Sequence, residues 1–148
     1  MLGNSVLPWE KKVDLVSASY NRIQNRTGFA HQFYVYFFKL NPKIKEYFKN
    51  TDFEHQEKLL LRGLQYLLEF MDGKNENARR QVIRLSQSHS IHGLRVHPHH
   101  YFYWIEALIL SVRDYDPYWS EDLEDKWREV INFPVSFMIS QYCKELED

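Results

Sequence analysis

One cysteine, five glycines and five prolines are all that the 148 residues carry of these three types. A lone Cys143 cannot close an internal disulfide and supplies no thiolate set for a metal, so a reducing cytoplasm is the expected setting. The first residues lack the basic, apolar and small-residue order of a secretory signal. Excess charge of one sign is missing too: 19 Lys and Arg stand against 20 Asp and Glu, a net charge of -1. Without a basic footprint, a nucleic-acid partner is not expected. Long apolar runs are absent, since the most apolar stretch, residues 101–112, is broken by Glu106 and falls short of the roughly 20 residues that span a bilayer. It reads as a buried core helix, and no membrane partner is expected. No glycine-rich phosphate loop, nucleophile elbow or paired-carboxylate constellation occurs, so nothing points to phosphoryl transfer or hydrolysis. The length suits one domain, residues 1–148, with a core of its own.

What is abundant is aromatic side chain: ten Phe, ten Tyr and four Trp make 16% of the chain. Such rings serve helix packing or the walls of a flat apolar ligand site. Apolar residues recur at helical spacing, and no sustained two-residue alternation marks a strand, so the fold class is all-α. A first helix is expected from Pro8, with Trp9, Val13, Val16, Tyr20 and Ile23 inward. Thr27 and Gly28 separate it from a second, with Phe29, Phe33, Phe37 and Leu40 inward, closed by Asn41 and Pro42. A short turn of helix leads to Phe48. Residues 51–54 match a capping box with Thr51 as the cap, opening a helix that buries Leu60, Leu64, Leu67 and Met71 and stops at Gly73. After a polar connection, a shorter helix carries Val82, Leu85 and His89 on one side, with Gly93 as its stop. His97 and Pro98 open a helix with Tyr101, Ile105, Leu108 and Val112 inward. Asp116, Pro117 and Ser120 open the last, with Leu123, Trp127, Val130 and Phe137 inward, and Pro134 falls inside it.

Five of the seven histidines lie between His89 and His100. Neighbouring histidines on a helix point apart, so His97, His99 and His100 read as exposed polar residues at a helix start rather than a metal site. His89 is in register with Val82 and Leu85, where an imidazole must hydrogen-bond or ligate something. Periodicity leaves both readings open. In the run of residues 32–38, three rings can face the core, and Tyr34, if it faces a cavity, places a donor in an apolar pocket. Gln56 could add a second donor, its plainer reading being a surface residue near a helix start.

Three segments in order carry a family resemblance. FYVYFFKLNPKIKEYF (residues 33–48), NTDFEHQEKLLLRGL (residues 50–64) and LSQSHSIHGLRVHPHHYFYW (residues 85–104) resemble, in the right order and spacing, the second helix with its following turn, the distal helix, and the proximal helix with its corner in globins. The likeness runs from about Val13 to Tyr142 and is most similar to bacterial single-domain globins, the globin half of flavohaemoglobins. It implies a globin fold, helices packed three-over-three around haem b (iron protoporphyrin IX), with His89 as proximal iron ligand and Phe48 wedged against the ring. Phe33, Phe38, Leu60 and Leu85 are implied as further haem-pocket residues. Tyr34 and Gln56 take the distal, ligand-facing positions, with His55 as the alternative should the register shift by one. Tyr101 matches a tyrosine near the proximal pocket, whereas the glutamate that flavohaemoglobins place late in the last helix is replaced by Tyr142.

The implied activity is binding of O2, NO and CO at a five-coordinate haem iron. Since 148 residues leave no room for the flavin- and nicotinamide-binding domain of flavohaemoglobins, oxidation of nitric oxide to nitrate needs an external reductase. The competing reading is a globin-type sensor or interaction module that signals gas or redox state to a partner protein. Its surfaces would be the histidine-rich stretch from His89 to His100 and the acidic end from Glu145 to Asp148.

Overall fold

The computed structural model describes residues 7–73, 75–89 and 97–147, with side chains through residue 141. Gly93, Tyr142, Cys143 and the acidic end therefore lie outside the residues or side chains described. Six α-helices and one 3-10 segment make up the described chain, and it has no strand. They are α1 (Trp9–Ile23), α2 (Phe29–Leu40), the 3-10 segment (Pro42–Phe48), α3 (Phe53–Asp72), α4 (Glu76–Ser88), α5 (Pro98–Tyr115) and α6 (Glu121–Glu147).

The breaks fall where backbone chemistry requires them. Pro8 sits one residue before α1 rather than inside it, and its carbonyl accepts from the Lys11 and Lys12 amides at 3.0 and 3.2 Å. Gly28, at φ 91°, makes the corner into α2 in a conformation that side chains with a Cβ resist. Asp52, not Thr51, caps α3: its carboxylate accepts from the His55 amide at 3.4 Å. Both residues precede the helix, and Asp52 is the one adjacent to its first turn. Gly73 ends α3 at φ 74°. The connection to α4 is shorter than expected, because Asn75 already caps it by accepting from the Ala78 amide at 3.1 Å. Ser120 does the same for α6 through the Leu123 amide at 3.0 Å.

Two layers of three helices form the bundle. α1, α3 and α4 lie over α2, α5 and α6; α2 has its broadest contact with α5, α3 with α4, and α1 with α6. The core between them holds Val16, Ile23, Phe33, Leu64, Val82, Leu108, Val112, Trp127 and Ile131, all fully buried or nearly so. Several expected inward positions depart from this, and on α6 Phe137 is half-buried while Met138 joins the core. Trp9 and Leu40 are 38% and 39% exposed, and Met71 is half-buried while Leu68 takes the inward position. On α5 Ile105 is half-buried, and Ala107 and Ile109 join the core instead. Trp9, Leu40 and Met71 lie in terminal turns, which project past the facing layer, so periodicity alone overstates their burial; Ile105 and Phe137 lie in mid-helix, where the buried face is turned toward their neighbours.

A buried polar junction locks α1 to the α5–α6 corner. Trp127 Nε1 donates to Ser19 Oγ at 2.9 Å, Ser19 Oγ donates to Asp116 Oδ2 at 2.5 Å, and Arg22 clamps the same carboxylate at 2.7 and 2.9 Å. Glu106, the charge that interrupts the apolar stretch of α5, is held in a two-bond pair by Arg128 of α6 at 2.7 and 3.1 Å. That pairing explains how the helix tolerates it.

Candidate functional site

Tyr34 stands in the middle of α2, 5% exposed, with its ring among other rings. Phe33 meets it edge-on at 5.0 Å, Phe38 at 5.8 Å, Phe48 at 5.7 Å and Phe53 at 5.6 Å between centroids. Burial pushes its phenol up to about 12, against a smaller downward effect of Gln56, so the hydroxyl keeps its proton at neutral pH. Gln56, one turn into α3, donates from Nε2 to the Tyr34 oxygen at 3.0 Å. The phenol oxygen is thus an acceptor already engaged, and its own proton has no acceptor among the described residues. His55 is exposed, and its backbone amide makes the cap contact to Asp52. It is Gln56, not His55, that the helix turns toward Tyr34.

The α3 face that begins with Gln56 continues through buried Leu60 to Gly63 and Leu64. At Gly63 the helix comes close to α4: a Cβ built there would lie 3.9 Å from Leu85 Cδ1. Leu85 is half-buried against the core, and its backbone carbonyl fixes the residue one turn on. That carbonyl accepts from the His89 amide at 3.0 Å and from the ring Nδ1 at 2.8 Å. A carbonyl cannot donate, so Nδ1 carries the proton and the lone pair resides on Nε2. Ser88 Oγ also lies 3.0 Å from Nδ1 while donating to the same carbonyl at 3.0 Å. The imidazole's pKa is lowered by burial, against an upward effect of the Leu85 carbonyl, which keeps the ring neutral. α4 itself stops at Ser88, and His89 is its capping residue at φ -95°, ψ -1°, so the helical register expected for Val82, Leu85 and His89 reaches its last member.

Phe33 is fully buried, touching Phe37 at 5.4 Å and Trp104 of α5 at 5.8 Å. Phe38 and Phe48 are half-buried and in contact at 5.3 Å. Tyr101 is 8% exposed, and burial raises its phenol to about 12; no hydrogen bond joins it to His89. His97, His99 and His100 cluster at the start of α5 with ring centroids 4.3 to 5.7 Å apart. Two of them are exposed and His100 is half-buried against Tyr47 at 5.4 Å. Among the described residues no group of three His, Cys, Asp or Glu side chains is arranged to hold a metal ion.

One neighbour of Tyr34 went unassigned in the sequence. Phe53 figured there only inside the cap of α3, yet its ring joins Tyr34, Phe38 and Phe48. The available signal was its spacing, three residues before Gln56 and so on the same side of the helix.

A neutral imidazole whose Nε2 makes no hydrogen bond among the described residues, together with a phenol and amide set in aromatic surroundings, is side-chain chemistry that suits a haem: one nitrogen able to ligate iron, aromatic rings for the macrocycle to lie against, and donors for a small ligand. The helix order and packing are those of the three-over-three all-α class. A globin family model matches residues 31–138, and the chain belongs to the globin family, whose members bind haem. Among solved structures it is similar to protein PA3967 of Pseudomonas aeruginosa PAO1, described as structurally highly homologous to a human hemoglobin. The TM-score is 0.82 at 30% identity, covering 88% of this chain and 98% of that one. No curated protein gives a significant match. Among the described residues no helix is long and apolar enough to cross a membrane.

Proposed function

We propose that the chain binds haem b through His89 and presents Tyr34 and Gln56 to a diatomic gas, O2, NO or CO. Phe33, Phe38, Phe48, Leu60 and Leu85 are the residues assigned to the apolar walls of that pocket, and Tyr101 to its proximal side. The observation that carries this reading is the phenol of Tyr34: buried, protonated, its oxygen taken by Gln56 at 3.0 Å and its proton unspent. The haem, when bound, supplies a ferrous iron at which a diatomic gas is held.

Each residue's part follows from its own chemistry. The Leu85 carbonyl holds the His89 Nδ1 proton, which fixes the ring's tautomer and orientation and leaves Nε2 as the ligating atom. Gln56 polarises and orients the Tyr34 hydroxyl by donating to its oxygen, so the phenol proton is offered to whatever negative charge gathers beside it. The aromatic neighbours keep water from competing for that proton. With the Tyr34 O–H and the second N–H of the Gln56 amide as donors, a net gain of roughly 1–1.5 kcal/mol each makes O2 release about one to two orders of magnitude slower than with none. Slow release suits chemistry better than delivery. With one electron per turnover from an external reductase, the same site suits oxidation of nitric oxide by dioxygen to nitrate.

The test is an absorption spectrum of ferric and ferrous protein with and without CO, beside the His89→Gly and Tyr34→Phe variants. Expected are five-coordinate ferrous bands, loss of haem retention in His89→Gly with partial recovery in added imidazole, and O2 release about five- to tenfold faster in Tyr34→Phe. A protein that shows no Soret band after haem addition, or low-spin six-coordinate bands before any ligand, overturns the reading.

A further inference from the structure

Phe38, Phe48, Phe53 and Tyr34 come from three separate elements, α2, the 3-10 segment and the first residue of α3. All six pairs among the four rings are in contact: Tyr34 lies 5.8, 5.7 and 5.6 Å from Phe38, Phe48 and Phe53, and the three Phe rings lie 5.3, 5.8 and 6.2 Å from one another. Tyr34 is 5% exposed, while the three Phe rings are each half-buried. They are therefore the cover, and Tyr34 is what they cover.

We infer that Phe53 is a positioning residue for the Tyr34 phenol, setting the tilt of its ring and shielding its hydroxyl, and so controlling how the pocket holds its gas ligand. The inference rests on the haem-globin reading above. Its ring meets Tyr34 edge-on at 71°, as the rings of Phe33 and Phe48 do at 86° and 60°. What singles out Phe53 is that it also opens the helix that carries Gln56, and the Asp52 cap pins that first turn, the Gln56 backbone amide donating to the Asp52 carbonyl at 2.9 Å. One short segment thus carries both a ring against Tyr34 and the residue whose side-chain amide donates to its hydroxyl. Phe38 and Phe48 hold the ring from α2 and the 3-10 segment, and neither is tied to Gln56 in this way. A shorter aliphatic side chain at position 53 fills part of the volume but gives no ring edge, which frees the phenol to tilt and lets water reach it.

The experiment compares Phe53→Leu, Phe53→Tyr, Tyr34→Phe and the double variant Tyr34→Phe with Phe53→Leu. In the haem-loaded protein, the infrared stretch of bound CO reports the donor beside it. Phe53→Leu is expected to broaden that band and move it toward the Tyr34→Phe position and to speed O2 release severalfold, while Phe53→Tyr stays near the parent. In the double variant the loss of Phe53 adds nothing to the loss of Tyr34, because a positioning residue acts only through the group it positions. A second readout needs no haem: in the haem-free chain carrying 13Cζ-labelled tyrosine, the Tyr34 phenol is expected to titrate above the ordinary phenol range because it is buried, and Phe53→Leu is expected to bring it down toward that range. An unchanged CO stretch in Phe53→Leu, or an equal effect of Phe53→Leu with and without Tyr34, overturns the inference. Absence of haem uptake by the parent overturns the functional reading instead, and the haem-free titration still decides whether Phe53 shields Tyr34.

Discussion

Replacing Asp116 by Asn is a sharp test of what holds this bundle together, because the carboxylate is fully buried and every bond to it is known. Four donors converge there: Ser19 Oγ at 2.5 Å and Arg22 Nη2 at 2.7 Å on Oδ2, Arg22 Nε and the Tyr118 amide, each at 2.9 Å, on Oδ1. Asparagine retains one oxygen able to satisfy two of them. Its amide nitrogen faces the other two as a donor against donors. Each lost bond to a charged group is worth about 1.5–3 kcal/mol, and breaking one side of a buried ion pair costs about 3–5 kcal/mol. Arg22 is 31% exposed, so water recovers part of its loss, and the net expectation is about 3 kcal/mol. That is a large share of a typical stability of about 5–15 kcal/mol, and it corresponds to a melting temperature roughly 6–12 °C lower for a domain of this size.

The assay is urea unfolding of the haem-free chain, parent against Asp116→Asn, repeated from pH 7 to pH 3. Burial pushes the Asp116 carboxyl up, but Arg22, Ser19 and the Tyr118 amide outweigh it and the folded value is lowered. A depressed folded pKa means that the unfolded chain takes up the proton first. The carboxylate's contribution is then complete above the unfolded value of about 3.9 and is lost as pH falls through the folded one. The gap between parent and variant is expected to be full at pH 7 and to narrow as the medium is taken well below pH 4. A difference under about 0.5 kcal/mol at neutral pH, or a gap that widens in acid, refutes the reasoning. Because none of these bonds involves Tyr34, Gln56 or His89, gas release from the haem-loaded variant is expected to match the parent.

Two glycines make opposite predictions. Gly28→Ala forces a Cβ onto a residue at φ 91° and within 2.8 Å of Tyr115 Oη, so a loss of about 1–3 kcal/mol is expected in the same unfolding assay; a neutral result means that the corner relaxes freely. Gly63→Ala instead places its Cβ at an ordinary 3.9 Å from Leu85 Cδ1 in mid-helix, and a gain of about 0.5–1 kcal/mol is expected with CO binding retained. A destabilised Gly63→Ala chain would show that α3 and α4 tolerate no extra methyl where they meet.

The residues written along the chain were enough for the helices and most of their ends. Gly28, Asn41, Gly73, His97 and Ser120 bound helices in the sequence as they do in space, because caps, positive φ and missing amide donors are local properties. Most core positions in mid-helix were equally legible, since Val16, Phe33, Leu64 and Trp127 each sit on a face set by the 3.6-residue period, Ile105 and Phe137 being the exceptions. Trp9, Leu40 and Met71 were not, because burial at a helix end depends on how far the opposing layer extends. The same division runs through the site. Order and spacing of motifs pointed to Tyr34, Gln56 and His89, but periodicity left His89 open between a satisfied core residue and a ligand. Packing supplied the rest: the Leu85 carbonyl that takes the Nδ1 proton, the choice of Gln56 over His55, and the ring of Phe53 beside Tyr34. Such relations join residues from different helices, or depend on the direction a side chain takes within its own turn. Local sequence determines which helices form and which side they bury; which atoms then meet is decided only when the two layers close on one another.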